Sequence, residues 1–277
     1  MIHRGKLSAG ALVSRFPLPD AIPRDAQWVL VSGNGVGVTG GDKPTIFSGC
    51  NPAEATSSVL RVQYLGHRDT VACYAAEIAP GTPLPGGWQL SGVRELFGRV
   101  PDQELAIAAL AVQIIDFDRT TQFCGRCGAK TRQLRTERAK FCSDCNLITY
   151  PRLSPSIIVL IQKEDQVLLA RSPHFPPQLH GLIAGFVEPG ENLEEAVHRG
   201  VQEEVEITVK NIRYFGSEPW LFPHSFMIGF IADYAAGEIT IDNKEIVSAG
   251  WFCRDNLPQI PSPLSISRAL IDSWVER

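Results

Sequence analysis

Over the first ninety positions apolar residues fall into short runs cut by Gly and Pro, and WVLVSG (28–33), VLRVQYLG (59–66) and TVACYAAEI (70–78) predict strands. The period then changes. From Val93 to Phe117 the pattern VRELFGRVPDQELAIAALAVQIIDF has a Pro-Asp start near 101 and apolar residues at helical spacing, predicting a helix that ends near Asp118. Further on, SIIVLIQKEDQVLLARS predicts two strands joined by a polar turn at Lys163 to Gln166. A Gly/Pro-cut loop (GFVEPGEN) leads to a charged helix from 193 to about 205. Strands follow in ITVKNIRYFGS, SFMIGFIADYA and GWFCRD, and an amphipathic helix over Ile266 to Val275 closes the chain. This order predicts an α+β chain in three parts: an N-terminal α/β module (1–118), a cysteine-bearing segment (119–150) and a C-terminal module of strands and helices (151–277).

Composition excludes several classes. With 277 residues, 44% of them hydrophobic and 20% charged, the chain is neither disordered, collagenous nor a coiled coil. Lys plus Arg number 26 against 30 Asp plus Glu, a net charge of -4, which argues against a dedicated duplex-DNA or membrane-surface binder. The N-terminal stretch lacks a signal-type apolar region, and the best apolar runs, Ile157 to Ile161 and Leu105 to Ile115, are too short or interrupted to cross a bilayer. A soluble cytoplasmic protein is expected.

The seven cysteines sort by spacing: Cys124, Cys127, Cys142 and Cys145 form two C-x2-C knuckles, and Cys50, Cys73 and Cys253 stand singly. Four thiolates on two knuckles suit one tetrahedral structural Zn2+ and leave no open catalytic position. A disulfide framework is the competing reading, and the odd count disfavours it. Around the knuckles Arg126, Lys130, Arg132, Arg135, Arg138, Lys140 and Arg152 outweigh Glu137 and Asp144, a local +5 in a chain whose remainder is at -9. That charge reads either as a solvated ribbon surface or as attraction for a phosphate-bearing ligand such as RNA.

A second cluster lies in GFVEPGENLEEAVHRGVQEEVEI, Gly185 to Ile207. Helical spacing puts 200, 203, 204 and 207 on one face, so Glu203 and Glu204 are expected to project together. Arg199 stands four residues from both Glu195 and Glu203. Adjacent carboxylates with oxygen ligands suit Mg2+ or Mn2+, hard ions that bridge phosphate oxygens. The segment resembles the Nudix box, G-x5-E-x7-R-E-U-x-E-E-x-G-U with U aliphatic. Gly185, Glu191, Arg199, Val201, Glu203, Glu204 and Ile207 match, whereas Gly200 stands where the family has Glu and Glu206 where it has Gly. The resemblance implies an α/β/α sandwich with a mixed sheet and catalysis by Glu203, Glu204, Glu191 and Arg199. Gly200 removes a carboxylate that is commonly a metal ligand, so weaker metal binding and slower turnover are expected. As a helix-interior Gly it also costs about 1 kcal/mol relative to Ala.

Downstream, SEPWLFPHS (217–225) resembles the SQPWPFPxS signature of the NADH pyrophosphatase branch, with Glu218 for Gln and Leu221 for Pro. A cysteine ribbon followed by Tyr150-Pro151-Arg152 directly before a Nudix domain is that branch's order of parts. The resemblance implies Mg2+ or Mn2+ held by the Ala184 carbonyl, Glu204 and Glu245, with Glu203 joining them. It implies substrate contacts from Glu137, Tyr150, Phe186, Glu218, Pro219, Trp220, Leu221, Phe222, Pro223, His224 and Ser225. It further implies NAD(H) and NAD-capped RNA as substrates and a homodimer.

Two other readings stand beside this one. Gly200 supports a Nudix protein that binds NAD(H) or RNA without efficient turnover, and the basic ribbon supports a zinc-ribbon RNA-binding module of Nudix ancestry. Gly35, Gly37 and Gly40 spell G-x-G-x-x-G after a strand, but Pro44 follows and no helix does, which predicts a glycine-rich hairpin. Of the scattered histidines, His224 alone lies in the substrate-like loop.

Overall fold

The computed structural model describes residues 3–4, 12–52, 58–220, 222, 224–241 and 243–277. Two compact units emerge, one of Leu7–Arg152 and one of Leu153–Arg277 joined by Met1–Lys6. The opening strand β1 (His3–Arg4) therefore belongs to the C-terminal unit.

In the N-terminal unit β2 (Leu12–Val13), β3 (Gln27–Ser32), β4 (Gly35–Thr39), β5 (Phe47–Ser48), β6 (Val59–Arg68), β7 (Val71–Ile78) and β8 (Trp88–Gly92) form one sheet. Its order is β2-β6-β7-β3-β4-β8, with β5 beside β3. The G-x-G-x-x-G segment is the expected hairpin: β3 and β4 pair antiparallel around Gly33, whose φ of 59° suits glycine. Gly37 has a packing reason as well, since a Cβ there would meet Leu30 Cβ at 3.1 Å and Trp88 Cε3 at 3.2 Å. Helix α1 (Asp102–Thr120) follows Pro101, which suits a helix start because its missing N–H would be unbonded there anyway. It buries Leu105, Ile107, Ile114 and Ile115.

Asp118, near the end of α1, is buried and accepts from Arg61 Nε at 3.2 Å and from Lys140. Arg61 also pairs with buried Glu77, which Arg119 reaches at 3.3 Å. Buried carboxylates need such partners, because an isolated charge out of water is costly. Lys140 lies in the cysteine segment, so this network fastens β10 (Lys140–Phe141), and with it β9 (Arg132–Gln133) and β11 (Ile148–Thr149), to its own unit.

The C-terminal unit is a sandwich built on β12 (Ser154–Lys163). Ile157, Val159 and Ile161 point to one face and Ile158 and Leu160 to the other, as strand alternation requires. Helix α2 (Leu193–Val205) covers the first face with Ala196, Val197, Val201 and Val205; helix α3 (Ile266–Val275) covers the second with Ile266, Leu270, Ile271 and Trp274. Burial on both faces explains why this strand reads as an unbroken apolar run. With β13 (Gln166–Arg171), β14 (Ile183–Phe186), β15 (Thr208–Trp220), β16 (Ser225–Ala236) and β17 (Ser248–Cys253), the sheet order is β1-β15-β16-β12-β13-β17, and β14 pairs β12. It is mixed: β12–β16 and β1–β15 run parallel and the remaining pairs antiparallel.

Candidate active site

Helix α2 carries the site and starts where its sequence says. Asn192 caps it, its side chain accepting the Glu195 N–H at 2.9 Å while the Glu195 carboxylate accepts the Asn192 N–H at 2.8 Å. Helical spacing makes Glu195 a partner for Arg199; in the fold its carboxylate serves this cap.

Arg199 turns to other groups. Its Nε and Nη2 donate to the two oxygens of Glu191 at 2.9 and 2.6 Å, a bidentate pair, and Nη2 also donates to the Phe186 carbonyl at 2.8 Å. Nη1 donates to Glu203 at 2.8 Å. Glu191 Oε1 additionally accepts the Glu188 N–H at 2.7 Å. One guanidinium thus binds the loop after β14 to the outer side of α2. The Arg199 guanidinium, then the Glu188 N–H, hold the Glu191 carboxyl at about 2, and Glu191 in turn raises Arg199. Glu191, Arg199 and Glu203 are therefore brought together.

Glu203 and Glu204 part company: Glu203 is exposed and bound to Arg199, whereas Glu204 is half-buried. Glu204 shares its side of the helix with buried Gly200, four residues earlier. Ala184 sits on β14 opposite Ile158, and Ser156 Oγ donates to the Gly185 carbonyl at 3.0 Å. Glu245 is exposed in the segment before β17.

The loop residues divide. Glu218, Pro219 and Trp220 end β15 and pair with Met227, Phe226 and Ser225 of β16. Glu218 is wholly buried and Ser225 nearly so. Trp220 and Phe222 pack edge to face with ring centroids 5.3 Å apart. His224 Nδ1 lies 3.0 Å from Ser154 Oγ, and its carbonyl accepts the Ser154 N–H at 2.9 Å, so the loop is tied to the start of β12. Leu221 and Pro223 lie outside the described residues. Phe186 is exposed. In the other unit the Tyr150 hydroxyl donates to Glu137 at 2.9 Å, and that carboxylate pushes the Tyr150 phenol up.

Also in that unit, the Sγ atoms of Cys124, Cys127, Cys142 and Cys145 lie within 4.8 Å of one another. Thiolates about 2.3 Å from a common centre fit such a set, so the donors suit tetrahedral Zn2+. The Arg126 and Cys127 N–H groups bring the Cys124 thiol down to about 6, in keeping with a thiolate ligand. Among the described residues this is the one such converging group of His, Cys, Asp or Glu.

Residues 151–272 match the NUDIX domain, 119–150 the NADH pyrophosphatase zinc ribbon domain, and 25–116 the NADH pyrophosphatase-like rudimentary NUDIX domain. Over 220 residues the chain is 44% identical to the NAD-capped RNA hydrolase NudC of Pseudomonas putida, covering 79% of each chain. The chain belongs to the Nudix hydrolase family. A protein of the same name from Deinococcus radiodurans is 43% identical over 222 residues, 79% of this chain and 78% of that one. A solved NUDIX hydrolase from Nitrosomonas europaea is 22% identical with a TM-score of 0.48, covering 57% of this chain and 92% of that one.

Two positions depart from the Nudix box. Glu206 ends α2 with φ 56° and ψ 21°, the left-handed conformation for which the family's Gly is suited. Gly200 is on the buried face of α2 with room beside it. Glu204, Glu245 and the Ala184 carbonyl offer oxygens, the donor type that suits a hard divalent ion, but Glu203, Glu204 and Glu245 do not converge as the four cysteines do.

Proposed function

We propose that the chain hydrolyses the diphosphate of NAD(H) to NMN(H) and AMP, and removes NAD caps from RNA to leave a 5'-monophosphate end. The observation that carries this reading is the extent of the likeness. At 220 residues it is longer than the Nudix and ribbon segments together, so it also takes in part of the rudimentary domain, and the relatives concerned are named NAD-capped RNA hydrolase. Residues 1–118, 119–150 and 151–277 are read as supporting module, structural zinc ribbon and catalytic module.

Glu204, Glu245 and the Ala184 carbonyl would hold Mg2+ or Mn2+, with Glu203 beside them. When bound, such an ion neutralises diphosphate charge and acidifies water. A water oxygen attacks one phosphorus, the bridging P–O bond breaks, and the two nucleoside monophosphates leave. Arg199 fixes the loop that follows Ala184 by holding Glu191 and the Phe186 carbonyl, so Glu191 and Arg199 act by positioning. Trp220 and Phe222 offer ring surfaces to a base. On the likeness to the NADH pyrophosphatase branch, Glu218, Pro219, Leu221, Pro223, His224, Ser225 and Phe186 are read as substrate contacts, and Glu137 and Tyr150 are read in the same way.

A homodimer is the assembly that the likeness to the NADH pyrophosphatase branch implies. All seven cysteines are free, which suits a reducing compartment such as the cytoplasm, and no described helix is long and apolar enough to cross a membrane. The test is conversion of NADH to NMNH and AMP with Mg2+ or Mn2+ by the purified chain and by Glu204→Gln. Clear turnover that falls by about 100-fold or more in the variant supports the assignment. NADH bound but left intact by the unmodified chain would favour a binding-only Nudix protein.

A further inference from the structure

The seven basic side chains of the ribbon segment do not form one surface. Arg135 donates to Asp20 Oδ1 at 2.7 Å, Arg138 donates to the Leu65 carbonyl at 2.6 Å, and Lys140 is buried against Asp118. These three are consumed in holding the ribbon to its own unit. Arg126, Lys130, Arg132 and Arg152 are exposed, and none of them makes an ion pair among the described residues.

Two of the four exposed cations stand beside aromatic rings. Phe123, bridged antiparallel to Lys130, is 68% exposed, so it adds little to any core. The Arg132 guanidinium lies over the Phe141 ring, 4.8 Å from its centroid. Arg132, Phe141 and Ile148 are register partners across β9, β10 and β11 and therefore share one face of that small sheet. Exposure alternates along Lys130, Thr131, Arg132 and Gln133, which puts Lys130 and Arg132 on the same side, about 7 Å apart along extended chain.

We propose that this face binds single-stranded RNA, with bases stacking on Phe123 and on the Arg132–Phe141 pair and phosphates meeting Lys130 and Arg132. Alternating rings and cations on an open surface are what an unpaired strand needs, since every base has a stackable face and every linkage a negative charge. No base-edge donors or acceptors are required, so the face is indifferent to sequence, and a duplex, whose bases are already stacked, binds it poorly. The inference rests on the reading of NAD-capped RNA as a substrate.

The experiment compares the unmodified full chain with a Lys130→Glu/Arg132→Glu double variant and with Phe123→Ala. All three are checked for unchanged zinc content. Three readouts are taken: turnover of NADH, turnover of an NAD-capped single-stranded oligonucleotide, and binding of the same oligonucleotide with a 5'-monophosphate. The double variant is expected to raise KM for the capped RNA about tenfold or more, to weaken binding of the uncapped strand to the same degree, and to leave NADH kcat/KM within about twofold. Two lost phosphate contacts also flatten the salt dependence, by about 0.7 in log–log slope for each.

If the unmodified chain turns over NADH but does not bind the uncapped strand, or the double variant binds it unchanged, the RNA face is overturned and the hydrolase assignment stands. If the uncapped strand is bound and the double variant loses it while neither substrate is turned over, the hydrolase assignment fails and the RNA face stands. If Phe123→Ala converts a dimer to a monomer with RNA affinity intact, the face joins two copies of this chain and the proposal is overturned.

Discussion

Gly200 faces Ile157: a β-carbon built on Gly200 would lie 3.8 Å from Ile157 Cδ1, an ordinary van der Waals contact, with nothing nearer. The glycine is therefore not demanded by crowding, and its φ is not positive. It sits inside a helix, where it costs about 1 kcal/mol relative to Ala. Gly200→Ala is expected to raise unfolding stability by about 0.5–1 kcal/mol, measured by denaturant titration, with NADH turnover unchanged. An unaltered or lowered midpoint would mean that the pocket between α2 and β12 is tighter than this contact indicates.

Gly200→Glu separates chemistry from stability at the same site. Position 200 is on the side of α2 that carries half-buried Glu204, so, if Glu204 holds the ion as proposed, a carboxylate there adds a second oxygen donor beside it. Turnover at limiting Mg2+ is expected to rise by about tenfold or more, with a lower metal requirement. The measurement is rate against metal concentration for the two proteins. A rise in rate confined to saturating metal would place the benefit elsewhere than in binding the ion.

The Arg199–Glu191 pair gives a pH dependence with a definite sign. The Glu191 carboxyl lies at about 2 in the fold against an ordinary 4.5, because Arg199 and the Glu188 N–H favour its charged form. A depressed carboxyl contributes stability in full above its ordinary value and loses that contribution as pH falls from about 4.5 toward about 2. Unfolding midpoints measured from pH 6 to pH 2.5 are expected to fall less steeply for Glu191→Gln than for the unmodified chain. Glu191→Gln is also expected to slow NADH hydrolysis by about 10- to 100-fold even at neutral pH, since it loosens the loop that Arg199 holds. Parallel pH curves for the two proteins would count against the clamp.

The residues that sequence made legible are those whose cause is local. Helix α2 runs over Leu193–Val205 and α3 over Ile266–Val275, as periodicity predicts, and each is started by its own neighbours: Asn192 and Glu195 cap one, Ser265 the other. The apolar run 157–161 announces a doubly buried strand, and the two C-x2-C knuckles announce four converging sulfurs. What stayed hidden depends on where distant chain returns. Arg199 pairs with Glu191 rather than Glu195 because the loop after β14 folds back onto α2, which helical spacing cannot report. Glu203 and Glu204 separate because one meets that arginine while the other is half-buried. Three ribbon cations are spent on Asp20, Leu65 and Asp118, so a count of charge overstated the free surface. Strand β1, two residues long, has no period to read; it is found only by its pairing with Gly216 and Ser217.

Glu206 offers the last test, at the end of the same helix. Its φ of 56° is in the left-handed region, where a side chain's Cβ crowds the following carbonyl and costs about 1–2 kcal/mol, while its N–H donates to the Gln202 carbonyl and closes the final turn. Glycine adopts this conformation without that crowding but loses more freedom on folding, so the net gain is smaller than the strain. Glu206→Gly is expected to stabilise the chain by about 0.5–1 kcal/mol, seen as a higher midpoint in denaturant. The Glu206 side chain is exposed and has no role in the clamp, so NADH kcat/KM is expected to stay within about twofold. Destabilisation instead would show that α2 ends by another geometry, and that its last turn, which follows directly on Glu203 and Glu204, is held from outside the helix.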